Sequence, residues 1–434
     1  MSRLHLGVTV RWPWLSFGSL GVLKHMKTQF CKTHQAKVFG VIICSWMAIL
    51  SLFAQTWTQV ASPNTNWNYI VCSANGSTLA CAPRPMPPLI NFSGPGSIYI
   101  STNSGTSWTA CNVGSPASST WYWTALYISA DGSKLIADSN SAAIYVSTNW
   151  GSSWTPSLLP KRSGETLGPL AASADGTQLV AADNFSALYT STNAGLTWTT
   201  NLSPSSSGLT SMACSADGHM LIANYHFNFY LSTNFGASWT NISSRMPPTE
   251  TRSVGCASAG GSTCAILADA GIVISTNSGM TWSLNYYDGN PIYTKSIACS
   301  ADGTKFIASQ ENDYPGGIYL STNSGSSWQF FTNSGSAIYS VAASADGCQL
   351  AASTTNGIYL IQFTPSPWLN TLLLPGSLTL TWTVPSTNFV LQQSSDLVSW
   401  MDVTNIPTLD SSLLQNQATL LLTGSNNFYR LAAP

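Results

Sequence analysis

STNSGTSW, residues 101–108, returns as STNWGSSW at 147–154, STNAGLTW at 191–198, STNFGASW at 232–239, STNSGMTW at 275–282 and STNSGSSW at 321–328. Successive copies begin 41 to 46 residues apart, the length of a supersecondary unit of about four strands and the dimension of one propeller blade. A second element keeps the same period: SANG at 73–76, SADG at 129–132, 173–176, 215–218, 300–303 and 344–347, and SAGG at 258–261. Short apolar or alternating runs such as SIACS (296–300), KFIAS (305–309) and GIYLS (317–321) fill the intervals, so each unit offers strands A to D, with SADG turning A into B and STNxGxxW turning C into D.

The second element occurs seven times and the first six times. The seventh unit ends with its third strand, GIYLIQF (357–363), and TWTQV at 56–60 matches the segment that follows each box turn. The expected fold is therefore all-β: a seven-bladed β-propeller over residues 55–363, closed by an N-terminal strand beginning at Trp57, followed by a linker at 364–376 and a small β-sandwich-like domain at 377–434. Gly, Ser, Thr, Asn and Trp are abundant and only 7% of residues are charged, a composition suited to short strands and tight turns.

The repeated polar residues have a structural task. Asn103, Asn149, Asn193, Asn234, Asn277 and Asn323 are expected to accept a backbone N–H two residues on, with the following Gly at positive φ. Trp108, Trp154, Trp198, Trp239, Trp282 and Trp328 then open the outer strands and cover the apolar seam between blades. A catalytic carboxylate is needed once or twice, not once per blade.

The pattern S-T-N-x-G-x-[ST]-W resembles the Asp-box, or BNR repeat, of sialidase-like and sortilin-like propellers, whose consensus carries Asp where every copy here carries Asn. The resemblance covers residues 56–363 and implies the fold; that fold hosts hydrolases, receptors and assembly factors alike, so it names no activity. A sialidase would resemble its family in three substrate-binding arginines, but Arg84, Arg162, Arg245 and Arg252 cannot be matched to that set, and RPMP at Arg84 is not the family's Arg-Ile-Pro box.

Alternating strands send the A–B and C–D turns to one face and the irregular B–C and D–A connections to the other. The latter face is expected to carry Trp121, Trp123, Tyr225, Phe227, Tyr286, Tyr287 and Tyr314, rings suited to stacking on a sugar or a peptide. The expected function is noncatalytic binding of a protein partner or glycan there. The alternative is a glycoside hydrolase using Glu250 and Glu311, lone glutamates in irregular loops of that face, as the carboxylate pair such chemistry requires.

Residues 1–54 carry six of the fifteen Lys and Arg and no acidic residue, and end in the apolar run VFGVIICSWMAILSLFA (38–54). This reads as an export signal cleaved near Ala54, with translation starting at Met1 or Met26; an uncleaved anchor is the other reading. The remainder, with nine basic and sixteen acidic residues, has a net charge near −7, which opposes nucleic acid and anionic lipid. A monomer, secreted or held in a bacterial envelope, without a stable membrane span after cleavage and without cofactor or metal, is expected. The order LxLxW, FxLQxSxDLxxW and FYRL in residues 378–431 resembles a short module that ends many large secreted proteins of verrucomicrobial and related bacteria. Cys72/Cys81 and Cys256/Cys264 each flank a turn; buried free thiols are preferred over disulfides for them.

Overall fold

The computed structural model describes residues 57–432 apart from 63–65, 84–96, 114–122, 140–142, 158, 161–166, 184–186, 205–208, 226–227, 249–250, 269–270, 287–293, 311–315, 333–335, 364–368, 386–388 and 422–426. The export signal expected at 1–54 lies outside these residues.

The architecture is all-β and propeller-like, built from multiple four-stranded antiparallel sheets whose strands follow one another in chain order. One unit shows the pattern: Thr294–Cys299, Phe306–Gln310, Gly317–Ser321 and Gln329–Thr332 pair as A, B, C and D, with Cys299 opposite Phe306, Phe306 opposite Ser321 and Leu320 opposite Gln329. The middle strands are buried on both faces because a neighbouring sheet packs on each side; Gly317–Ser321 is buried throughout. Their small and β-branched residues alternate along the pleat and fill these seams at close-packed density.

The sheet nearest the end of the repeat takes its outer strand from the other end. Thr58–Val60 pairs with Gly357–Gln362, setting Thr58 opposite Leu360, Gln59 opposite Tyr359 and Val60 opposite Ile358. Trp57 packs into the seam that contains Ile318, Leu320 and Ile361, the place that Trp108, Trp154, Trp198, Trp239, Trp282 and Trp328 each take in a seam of their own.

Around the inner strands the SADG-type turns are stitched together by backbone. Ala74 N–H donates to Ala130 C=O, Ala130 to Ala174, Ala174 to Ala216, Ala216 to Ala259, Ala259 to Ala301, Ala301 to Ala345, and Ala345 back to Ala74, at 2.6–2.9 Å. The chain of donors returns to its start, so these turns form a circle. The box turns repeat the relation further out: Gly151 sits against Ile100, Gly195 against Val146, Gly236 against Leu188, Gly279 against Leu231, Gly325 against Ile274, and Gly105 against Leu360 and Val60 of the sheet made from both chain ends.

The local chemistry of the two turns differs, which corrects one expectation. In the SADG turns the acceptor reaches two residues on, as expected: Asn75 Oδ1 takes Ser77 N–H at 3.0 Å and Asp131 Oδ1 takes Ser133 N–H at 3.0 Å. In the boxes it reaches four residues on. Asn103 Oδ1 accepts Ser107 N–H at 2.9 Å while Asn103 Nδ2 donates to Ser107 Oγ at 2.9 Å, and Ser101 Oγ caps Gly105 N–H at 2.8 Å. The box turn carries a doubled left-handed bend: Ser104 at φ +54 precedes Gly105 at φ +84, whereas the SADG turn has a single positive φ, and the acceptor reaches two residues further.

From Asn370 onward the chain forms two further sheets. Asn370–Leu374, Ser377–Thr383, Gln415–Leu421 and Thr408–Asp410 make one, and Met401–Asp402, Val390–Ser394 and Phe428–Ala432 the other. Leu378, Leu380, Trp382, Leu391, Leu420 and Tyr429 pack together. The first of these strands begins inside the segment read as linker at 364–376, because Gly376 at φ +79 turns Asn370–Leu374 back as a hairpin. The eight cysteines from Cys72 onward are free thiols. Register explains why the hairpin pairs are not bridged: Cys81 faces Ile70 and Cys72 faces Leu79, while Cys256 faces Ala265 and Cys264 faces Ala257.

Gly151 stands at φ +77, and a Cβ added to it would fall 2.1 Å from Ile100 Cδ1, whereas a Cβ added to Gly260 would meet nothing within 4 Å. Gly151→Ala is expected to lose about 1–3 kcal/mol of unfolding free energy and Gly260→Ala under about 0.5, measured by urea denaturation.

Candidate functional site

The strand ends that carry the irregular connections are shaped by bulges. Strand A shifts register near its start in several sheets, between Trp123 and Ala125, Thr294 and Ile297, and Ile338 and Ser340. A bulge frees a backbone N–H from the ladder, and a polar side chain from strand B recovers it. Ser309 Oγ accepts Ser296 N–H at 3.0 Å.

The same belt holds polar groups that sequence reading passed over. Asp138 and Asp183 are 1% exposed and Asn224 0% exposed, each near the end of an otherwise apolar strand B. Thr124 Oγ1 donates to Asp138 Oδ2 at 2.6 Å; Asp183 Oδ1 accepts Ala187 N–H at 2.9 Å, spanning its B–C connection; Thr210 Oγ1 donates to Asn224 Oδ1 at 3.1 Å. The signal was present as an acid inside LIADS and LVAAD, runs otherwise suited to burial. These contacts brace the strand ends of this face.

The expected binding residues divide. Tyr286 is 46% exposed at the end of its outer strand, and Tyr225 is half-buried at the end of Leu221–Tyr225. Trp123 does not belong to the surface: it is 2% exposed and meets Tyr145 edge-on at 5.9 Å, so both ring faces are taken by core, which corrects its expected role as a stacking platform. The bulge beside it explains the inward turn. Trp121, Phe227, Tyr287 and Tyr314, and the carboxylate candidates Glu250 and Glu311, lie outside the described residues. Arg245 Nη1 donates to Gly279 C=O at 3.1 Å, which commits this guanidinium to a neighbouring turn. Among the described residues no three His, Cys, Asp or Glu side chains are grouped to hold a metal ion, and no helix is long and apolar enough to cross a membrane.

The face of the regular turns is occupied differently. The box indoles of Trp108, Trp154, Trp239 and Trp282 donate to the glycine carbonyl of their own box at 3.1–3.2 Å, while Trp198 donates to Ser157 Oγ at 2.8 Å. Inside the alanine circle is an axial cavity of about 180 Å³, lined by Cys72, Ala172, Cys214, Ala257, Cys299 and Ala343 among others and by Leu414 of the C-terminal sheets. Burial, with a lesser contribution from Asp346, pushes the Cys72 thiol up to about 12, and burial pushes Cys214 to about 12. Both therefore stay protonated near neutrality and are poor nucleophiles.

No family model matches the sequence, and no curated protein matches it. Solved structures do match in shape. The YCF48 structure bound to D1 peptide aligns with a TM-score of 0.55 at 14% identity, over 75% of this chain and 99% of that one. YCF48 from Cyanidioschyzon merolae aligns at 0.53 and 14%, over 71% and 98%. The GH74 enzyme of Niastella koreensis aligns at 0.53 and 16%, over 76% of this chain; the match spans only 59% of that enzyme. The likeness is one of fold. It extends over several unrelated β-propellers and selects none of their activities.

The acid response of the turns follows from their acceptors. Burial raises the Asp131 carboxyl, but the Ser129 hydroxyl, the Ser133 N–H and hydroxyl, and Lys134 together outweigh it and hold the group below the ordinary range; Asp175 is held down in the same way by Ser173, Thr177 and Lys134. A folded-state value below the unfolded one contributes stability that is complete above about pH 5 and is lost as pH falls through and below about 3.9. Urea midpoints measured from pH 6 to pH 3 are expected to fall in this window, and Asp131→Asn with Asp175→Asn is expected to flatten the fall.

Proposed function

We propose that this chain is a seven-bladed propeller, closed by its N-terminal strand, that binds a protein segment or a glycan through the face of irregular connections and catalyses no reaction. The circle of seven alanine hydrogen bonds supports the count, and the pairing of Thr58–Val60 with Gly357–Gln362 supports the closure. Residues 364–434 then act as a separate small β module behind the ring, and the box turns make the ring a relative of the Asp-box propellers in which asparagine replaces aspartate.

One observation carries the choice of face. On the side of the regular turns the axis is covered, since Val384 and Leu414 pack on the alanine circle, and the turns around it are engaged in their own hydrogen bonds. The opposite side keeps an exposed ring at Tyr286 and the partly open Tyr225, whose amphipathic rings suit a ligand with apolar ridges and polar ends. Trp121, Phe227, Tyr287 and Tyr314 belong to the same set of connections. That YCF48, a fold match, was solved with the D1 peptide bound is a precedent for a peptide on this fold. The chain works as an exported monomer in the envelope or outside the cell, after removal of residues 1–54; its net charge near −7 argues against nucleic acid and anionic membrane as partners.

Protein lacking residues 1–54 is to be screened on glycan and peptide arrays and on a panel of chromogenic glycosides. Retention of a ligand without turnover is the expected result, and Tyr286→Ala is expected to weaken it about ten-fold, or roughly 1.4 kcal/mol. Glycoside turnover abolished by both Glu250→Gln and Glu311→Gln would replace the binding reading with the hydrolase.

A further inference from the structure

Among the described residues, the C-terminal sheets meet the alanine circle through Val384 and a tight turn that ends at Leu414. Asp410 fastens it: Asp410 Oδ1 accepts Ser412 N–H at 3.0 Å, Leu413 N–H at 3.3 Å and the Ser412 hydroxyl at 2.6 Å. The turn ends at Leu414, whose carbonyl accepts Val384 N–H at 3.0 Å. Leu414 stands at φ +53, a left-handed conformation that a leucine avoids because its Cβ crowds the following carbonyl. Such a residue persists only where surrounding contacts outweigh the strain.

The contacts are those of the axis. Val384 and Leu414 pack against Ala74, Ala130, Ala259, Ala301 and Ala345 of the hydrogen-bonded circle, and Leu414 also lines the cavity beneath it. Every residue of that circle is an alanine, and the preceding layer is mostly alanine and cysteine. Side chains this small leave an opening at the centre that the ring cannot fill from its own sequence. Two branched aliphatic groups, Val384 and Leu414, cover its turn-side end.

We propose that the C-terminal module is a stopper for the axial cavity, with Leu414 as the plug and Asp410 as the positioning residue that holds it. The module thereby covers the turn-side end of the cavity that Cys72, Cys214 and Cys299 line. This role is independent of what the opposite face binds: a protein that retained no ligand at all would still be stoppered.

The native thiols are the reporters. Folded full chain is treated with iodoacetamide at pH 8 and the alkylated sites are mapped by mass spectrometry over time. In Leu414→Ala the turn-side end of the cavity widens to admit the reagent, and alkylation at Cys72, Cys214 and Cys299 rises at least ten-fold, with Cys81 and Cys264 unchanged. Leu414→Met keeps wild-type rates, because a side chain of similar volume still fills the opening. Leu414→Gly relieves the strained φ yet gives the alanine variant's pattern, which separates the plug from the stability of its turn. Asp410→Ala shifts the same three sites part of the way. Unchanged rates at these cysteines in Leu414→Ala and Leu414→Gly, or an equal rise at all ten cysteines, would overturn the proposal.

Discussion

A backbone hydrogen bond between neighbouring turns, from one alanine N–H to the next alanine carbonyl, governs the arrangement of the repeats. Each bond contributes only about 1 kcal/mol, but each also fixes the distance and tilt between two sheets. Because the acceptor of one turn is the donor of the next, no sheet can shift without straining both neighbours. The residue at this point must be small: a larger side chain would crowd the axis where seven turns meet, and glycine would free the backbone that the bond requires to be fixed.

The outer rim answers to a different constraint. There the seams are filled by one tryptophan per unit, and each box turn lies against an aliphatic side chain of the preceding sheet, as Gly151 does against Ile100. The double left-handed bend of each box brings the chain round for this contact. Its first member is not glycine in any copy, with Ser104, Trp150, Ala194, Phe235, Ser278 and Ser324 all near φ +55, so the unit accepts local strain to place the tryptophan. Asparagine suits this bend better than a purely accepting group would, because its amide also donates to the Ser or Thr four residues on.

Much of this was legible in the residues. The repeat, the two-residue reach of the SADG turns, the missing outer strand and its replacement near Trp57 all follow from spacing and pattern, since each depends on local chemistry repeated many times. What was not legible depended on contacts between elements distant in sequence. Trp123 reads like the other loop aromatics, and only the bulge beside it turns it into the core. Asp138 and Asp183 stand as lone acids in apolar runs, and only their burial and partners show them to brace the strand ends. The circle of alanines was visible as a repeated letter, yet its bonding could not be read from one unit alone. The stretch at Asn370–Leu374 resembles a joint because its leucines show no period, and it pairs as an edge strand with all five residues exposed.

The pairing of Thr58–Val60 with Gly357–Gln362 also sets the order of events when the chain is made. The side chain of Gln59 bonds the carbonyl of Asn356, 297 residues away, so the earliest of the described strands has to wait for Gly357–Gln362 before it has a partner. Closing so long an intervening segment is entropically costly and slow compared with forming any single sheet. Until it happens the final sheet lacks its outer strand, leaving a bare strand edge on an otherwise assembled intermediate. A nascent chain halted before residue 357 would keep that edge open to proteases and to other unfinished chains.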